Sequence, residues 1–348
     1  MNNAVAWRAP SNIALIKYWG KRGKQIPANP SLSFTLQNAY TQTEIRYAPK
    51  KNNTKAIDLK FFFEGKDKPE FAEKIKDYFK TLVKKELPFL SKFSFEIYSG
   101  NSFPHSAGIA SSASSMAALA LCLCSIEEQI KGKPASPDKF FRRASHIARL
   151  GSGSAARSVY GGIVTWGKIK GIPAASNQYA TPLSGRIHHN FLHFQDTILV
   201  VSRKSKAVSS RAGHALMQGH PFATARIRQA ADNLQDLIKV LRNGNLQAFC
   251  DIVENEALTL HALMLASRPP VLLWEPATVD IIRSIQAFRQ QTGIPACFTI
   301  DAGPNVHLLY PESASVDIRQ YIEQQLMVNC TLETVIYDHT GTGPVKLK

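Results

Sequence analysis

The chain has 348 residues, and 42 Lys and Arg against 26 Asp and Glu leave a formal charge of +16. A hydrophobic fraction of 44% and a charged fraction of 20% exclude a disordered or fibrous chain and suit about two globular domains. Five cysteines without CxxC spacing argue against a zinc site and for free thiols in a reducing compartment, and the longest apolar run, Met116 to Ile126, falls short of the roughly 20 residues that cross a bilayer.

The N-terminus shows no charged n-region, apolar core and cleavage site, so a cytoplasmic location without a membrane anchor is expected. "AVAWRAPSNIALIKYWG" reads as strand, turn, strand, and its end is unusual. Lys17, Tyr18, Trp19, Lys21 and Arg22 follow the apolar run directly, as in a strand that delivers cations to an anionic ligand. "SLSFTLQ" and "TQTEIRYA" alternate apolar and polar residues as two neighbouring strands do, and "AIDLKFFFEG" continues the pattern. Helical spacing then runs through Phe71, Ile75, Phe79 and Leu82. "KFSFEIYSG" is a further strand. A loop of small residues leads from it into an apolar helix, "SSMAALALCLCSIEEQI".

"PDKFFRRASHIARLGSGSAARSVYGGIVTWGKI" gives a helix, a glycine-serine break and a strand. Near residue 190 the pattern resets with the strand "DTILVVSRK". Helices follow at 224–243, 246–264 and 278–292, then the strands "ACFTIDAG" and "VHLLY", a helix at 315–325 and the closing strand "CTLETVIYD". No internal repeat or long linker interrupts the chain. The expected architecture is α+β in two domains, 1–190 and 191–348.

Three stretches carry chemistry. In Pro104–Ser115, Gly108 and the small residues around it let a backbone approach a ligand, and the helix behind offers unpaired N–H groups and a positive dipole end to a phosphate. No Gly-Lys-Ser/Thr closes the loop, so it is not a Walker A motif, and a tightly packed helix start would look the same. In Gly151–Gly162, Ser152 and Ser154 offer hydroxyls and Arg157 a bidentate fork for an anion, although a helix-ending glycine break with a solvated arginine fits equally. In "FTIDAGPNVHLL" a strand ends on Asp301, a lone carboxylate that also suits a turn cap. The clusters "IHHNFLHF" and "HALMQGH" lack metal-ligand spacing and read as ordinary histidines. The lysines of 50–92 and 131–170 have no basic-aromatic interleaving, so they read as solvated surface and no specific nucleic-acid binding is expected.

Taken together and in order, "APSNIALIKYWGKR", "PANPSLSFTL", "FPHSAGIASSAS", "ARLGSGSAARSVYGG", "VVSRKSKAVSSRAGH" and "TIDAGPNVHLL" resemble the GHMP kinase superfamily, and within it the diphosphomevalonate decarboxylases. The resemblance implies a GHMP kinase fold, with a ribosomal S5 domain 2-like N-terminal domain and a ferredoxin-like C-terminal α/β sandwich. It implies ATP-dependent decarboxylation of mevalonate 5-diphosphate to isopentenyl diphosphate in isoprenoid synthesis, by a homodimer. Magnesium would be held mainly through ATP, with no protein ligand assigned.

Carried over residue by residue, it makes Asp301, Lys17 and Arg157 catalytic. Tyr18, Trp19, Gly20, Lys21, Ser152, Gly153, Ser154, Arg157 and Ser210 would bind substrate, and Ser106, Gly108, Ala110, Ser111 and Ser112 would bind ATP. The sequence departs from the family at His105–Ser106, where Thr-Ala is usual, and at His214, where methionine is common. The family's substrate-contacting arginine has no obvious match, leaving Lys74 as a stand-in. The alternatives are a relative acting on mevalonate 5-phosphate or mevalonate and, from another class, a basic nucleic-acid-binding protein.

Overall fold

Apolar residues at alternate positions draw the first half of the chain into one sheet. The structure, a computed structural model, describes residues 3–348 apart from 52, 53, 55, 105–108, 184 and 204–209. β1 (Asn3–Ile16) leads through a small ribbon, β2 (Lys21–Arg22) and β3 (Ile26–Pro27), into the 19-residue β4 (Ser31–Pro49). β5 (Asp58–Phe63) and β6 (Lys66–Asp67) follow, then α1 (Pro69–Val83), β7 (Phe93–Asn101), α2 (Ser111–Lys131) and α3 (Pro137–Gly151). A 3₁₀ segment, Gly153–Val159, leads to β8 (Ile163–Trp166) and β9 (Ala180–Pro182).

The second half begins with β10 (Gln195–Leu199) and continues through α4 (Ser210–Ala215), α5 (Ala223–Asn243), α6 (Leu246–Leu265) and α7 (Pro276–Thr292). It closes with β11 (Cys297–Thr299), β12 (Val306–Tyr310), α8 (Ser315–Tyr321), β13 (Val335–His339) and β14 (Val345–Lys346). The α+β class is as expected. The first sheet runs β14-β1-β4-β7-β5-β6, with β8 and β9 joined at β4, and the second runs β11-β12-β10-β13. Through β14, which pairs Trp7 with Lys346, the end of the chain returns to the first sheet.

Four local expectations need correction. "AVAWRAPSNIALI" is one strand and not two, because register shifts after Pro10 and Ala14 absorb the proline without a turn. "SLSFTLQ" and "TQTEIRYA" are likewise one strand. β4 pairs with β8 at its start and β7 at its end, and between them Asp338 Oδ1 accepts from the N–H groups of Gln37 and Asn38 (both 2.9 Å) while Oδ2 accepts from Ala39 (2.7 Å). A carboxylate from the other sheet thus supplies what a hairpin turn would otherwise have to.

The apolar run at 116–126 is part of a 21-residue helix, α2, long and apolar enough by length and composition to span a membrane. Here it is a core helix, with Ala117–Ile126 buried against β1, β4 and α3. The last strand starts at Val335 rather than Cys330, since Thr331–Glu333 form a 3₁₀ turn in which Thr331 bonds back to Val200 (2.7 Å).

The Asp338 junction is testable. Asp338→Ala would leave four backbone N–H groups, including that of His339 (2.7 Å), without their acceptor. Urea denaturation should show a loss of about 3 kcal/mol, since each stranded buried donor costs about 1–3 kcal/mol. A loss below about 1 kcal/mol would show that the strand holds together without it.

Candidate active site

One face of β1 and the residues just beyond it line a cavity of about 300 Å³, closed by α2, the Gly153–Val159 segment and the chain after β11. Asn12 and Ala14, two residues apart, present the same face of the strand to it. Beyond Ile16 the strand ends and Lys17 turns inward. Its side chain is 2% exposed and its ammonium donates to Asp301 Oδ1 at 2.9 Å, while the Asp301 side chain is 30% exposed. The carboxylate thus stands at the wall of the cavity with a buried cation behind it. Its backbone is held as well: the Asp301 carbonyl accepts from the Gly303 N–H (2.7 Å) and lies 3.1 Å from His261 Nε2.

Arg157 is almost fully buried, at 2%. Its fork donates to Asn12 Oδ1 from Nε (3.3 Å) and Nη2 (3.2 Å) and to Ser31 Oγ from Nη1 (2.5 Å). Asn12 is held in that orientation by donating from Nδ2 to Ser158 Oγ at 2.7 Å. Among the described residues Arg157 makes no ion pair. Burial pushes its pKa down to about 10, against the opposing pull of Asp301 and Tyr18. A buried guanidinium held only by neutral acceptors at a cavity wall is a site for an anion.

The "YWGK" segment packs around His214. The Tyr18 ring lies 4.3 Å and the Trp19 ring 4.8 Å from the imidazole, centre to centre, and the Gly20 N–H donates to His214 Nδ1 at 3.0 Å. That bond fixes the neutral tautomer with its proton on Nε2. Burial and then the Lys21 charge push the His214 pKa down to about 3. The buried Tyr18 hydroxyl has no hydrogen-bond partner among the described residues. Gly153 is required beneath it, because a Cβ there would sit 2.7 Å from that oxygen and 2.9 Å from Trp166.

At the opposite wall α2 begins after Ala110 with no side-chain cap, and Ile109, Ala110, Ser111 and Ser112 face the cavity. An uncapped helix start of small residues leaves room and N–H groups for phosphate oxygens.

The structure therefore gathers Lys17, Tyr18, Trp19, Lys21, Ala110, Ser111, Ser112, Ser152, Gly153, Ser154, Arg157 and Asp301 around one cavity. Gly20 is not part of the lining; its N–H is spent on His214. Ser106 and Gly108 lie outside the described residues, as does His105, and Ser210 opens α4 with its side chain undescribed. Lys74 is exposed on α1 over the Phe71 ring (5.4 Å) and does not line the cavity. His214, expected as an ordinary histidine, belongs to the wall. Sequence reasoning missed Asn12, and with it Arg226, Glu256 and His261, all buried. Glu254, Glu256 and His261 on the buried face of the otherwise apolar α6 were the available signal. Among the described residues no three His, Cys, Asp or Glu side chains cluster as a metal site would require.

Comparison with known proteins shows the family. Residues 9–177 match the model of the diphosphomevalonate decarboxylase-like N-terminal domain, and residues 197–346 that of the mevalonate 5-diphosphate decarboxylase C-terminal domain. A diphosphomevalonate decarboxylase of Ganoderma lucidum is 33% identical over 331 residues, covering 90% of this chain and 80% of its own. The crystal structure of mevalonate diphosphate decarboxylase from Staphylococcus aureus is 29% identical, with a TM-score of 0.83 over 99% of this chain and 98% of that one. A structure described as MDDEF in complex with MVAPP, AMPPCP and magnesium is 26% identical, with a TM-score of 0.83 over 99% of both chains.

The buried imidazoles of His214 and His261 have a consequence for pH. Burial also pushes the His261 pKa down, to about 4. Both folded values lie below the ordinary value of about 6.5, so the unfolded chain takes up the extra protons. Their contribution is complete above about pH 6.5 and is lost as pH falls toward the folded values, by about 1.4 kcal/mol per pH unit and histidine. In a pH series of denaturation curves, His214→Met should flatten this acid slope by about one histidine's share. An unchanged slope would mean that His214 is protonated in the fold.

Proposed function

The chain belongs to the diphosphomevalonate decarboxylase family, and on that footing we infer its reaction: ATP-dependent decarboxylation of mevalonate 5-diphosphate to isopentenyl diphosphate, ADP, phosphate and carbon dioxide. The observation that carries the site assignment is Arg157, a buried cation without an ion pair, on the same cavity as the Lys17–Asp301 pair. A substrate with a carboxylate at one end and phosphates at the other uses both features. Arg157 receives the C1 carboxylate, while Lys21 and the segment before it face the diphosphate. Asp301 orients the tertiary 3-hydroxyl and accepts its proton.

ATP and magnesium are the cofactors. The α2 start is the surface for the ATP phosphates, and magnesium supplies charge neutralisation there. Support comes from the similar structure that holds MVAPP, AMPPCP and magnesium. Once the 3-hydroxyl is phosphorylated, the phosphate leaves with its bonding electrons. The C1–C2 pair then forms the C2–C3 double bond as carbon dioxide departs. Positive charge developing at C3 is met by Asp301, and Arg157 keeps the carboxylate in place until its bond breaks. A cytoplasmic homodimer completes the proposal. The five unpaired, buried cysteines support the compartment and the family resemblance supports the dimer.

The decisive assay follows ADP and carbon dioxide together on mevalonate 5-diphosphate, its monophosphate and mevalonate. Equal amounts from the diphosphate are expected; ADP without carbon dioxide, with a 3-phosphorylated product accumulating, would identify a kinase. In the same assay Asp301→Asn should slow both products together by about 10²–10⁴-fold, as loss of a general base does. An Asp301→Asn enzyme retaining more than about a tenth of the rate would remove Asp301 from the chemistry.

Arg157→Leu separates recognition from folding. It removes a buried charge that costs stability and leaves Asn12 and Ser31 to bond each other or water. The expected loss in kcat/KM is about 2–4 kcal/mol, or roughly 30- to 1,000-fold, with ATP affinity retained. A loss under about threefold would place the carboxylate elsewhere.

A further inference from the structure

The Lys17 side chain is held at its tip by Asp301, but its backbone is held more tightly still, from the other half of the chain. Glu256 on α6 is completely buried, and Arg226 on α5 is 1% exposed. The two form a bidentate pair, Nη1 to Oε1 at 2.7 Å and Nη2 to Oε2 at 2.5 Å. Oε2 also accepts from the Lys17 N–H (2.9 Å), and Oε1 from Asn233 Nδ2 (2.7 Å). On the other flank the Lys17 carbonyl accepts from Asn29 Nδ2 (2.9 Å) and Arg226 Nη2 (3.4 Å). Both peptide groups of one residue are therefore fixed by side chains.

We propose that Glu256, with Arg226, is a positioning residue for the transfer step: the pair clamps the Lys17 backbone so that its ammonium stays on Asp301. Lys17 lies just past the last residue of β1, so no strand partner holds its N–H, and a carboxylate does instead. Asp301, Glu256 and Arg226 all come from the second half of the chain. The clamp thus places Lys17 and Asp301 in one frame, where a displacement of about 1 Å costs heavily in rate. The proposal rests on the active-site reading above for its kinetic consequence, though not for its structural one.

Glu256→Gln alone would leave Arg226 buried and uncompensated and endanger folding. The test is therefore the paired replacement Glu256→Leu with Arg226→Met, because apolar residues of similar volume often substitute for a buried ion pair without loss of stability. Asn29→Ala is the second variant, since it loosens the other flank of Lys17 and leaves the buried charges alone. Each variant is analysed by crystallography and kinetics, alone and combined with Lys17→Ala.

In both, the Lys17 ammonium should leave hydrogen-bond distance of Asp301. We expect kcat to fall at least tenfold in the paired variant and several-fold in Asn29→Ala, with KM for ATP within about threefold. On the Lys17→Ala background neither change should cost anything further, because the group being positioned is gone. A paired or Asn29→Ala variant whose Lys17 stays on Asp301 overturns the clamp without reference to turnover. So does a kcat loss that persists in full on the Lys17→Ala background, which is what a merely structural role would give.

Discussion

A charge taken out of water has to be met by other groups, and this one requirement organises the centre of the molecule. Of the cations buried among the described residues, Lys17 lies just past the end of β1, Arg157 bonds to Asn12 on that strand and Arg226 bonds to the Lys17 carbonyl. Arg226 is neutralised by Glu256 and Lys17 by Asp301, within the fold. Arg157 alone is left to the amide of Asn12 and the hydroxyl of Ser31. Those dipoles orient the guanidinium but do not neutralise it. The three sites thus differ: two are closed by the chain, and the third, on the function proposed above, takes an anion from outside.

The fold exists in a form that serves this. β1 runs 14 residues through the sheet and ends where its last side chains reach the cavity. The strand's length matters because the long β4 pairs with it from Asn3 to Ile16, and β14, the last strand of the chain, pairs with it at Trp7 and Arg8. Asp338 and Glu256, one on β13 and one on α6, reach from the second half to bare N–H groups of the first. Each satisfies backbone that has left a regular ladder. Irregular backbone at the junction thus helps join the two halves, beside β14 and an apolar cluster that runs from Ile13 and Phe34 to Leu234 and Phe249, and the cavity lies where they meet.

Much of the site was legible in the sequence because its members are locally odd. Lysines after an apolar strand, small residues at the start of an apolar helix and an aspartate ending a buried strand each break a pattern, and these breaks fell on one cavity. The supporting shell was not legible in the same way. Asn12 sits in a strand where a polar residue on one face is unremarkable, and Arg226 begins an amphipathic helix whose polar residues are mostly exposed. Asn12 bonds Arg157, and Arg226 reaches past its pair with Glu256 to the Lys17 carbonyl; both contacts span more than a hundred residues, and no local pattern records such a distance. The misread strands failed for a related reason. Pro10 and the polar Gln37–Asn38 look like turns, and only register shifts and the remote Asp338 carboxylate keep them extended.

The pairing of Asp301 with Lys17 resolves an electrostatic conflict in the chemistry. On the mechanism proposed above a carboxylate is needed at the reacting carbon, yet the cavity must admit a substrate and a nucleotide that are both polyanions. An isolated aspartate there would repel them, and in a site poor in water the repulsion would be poorly screened. With the Lys17 ammonium at 2.9 Å the pair is neutral as the ligands approach, and Lys21 and Arg157 leave the lining net positive. When the 3-phosphate departs, its negative charge moves away and positive charge grows at carbon. On the role proposed for Asp301, its carboxylate, the acidic side chain among the described lining residues, then meets that charge. Lys17 keeps its other side buried, so the same pair is neutral toward arriving anions at long range and negative toward the forming cation at short range. A carboxylate without the buried lysine would have only the second property, and a lysine without the carboxylate only an attraction for phosphate.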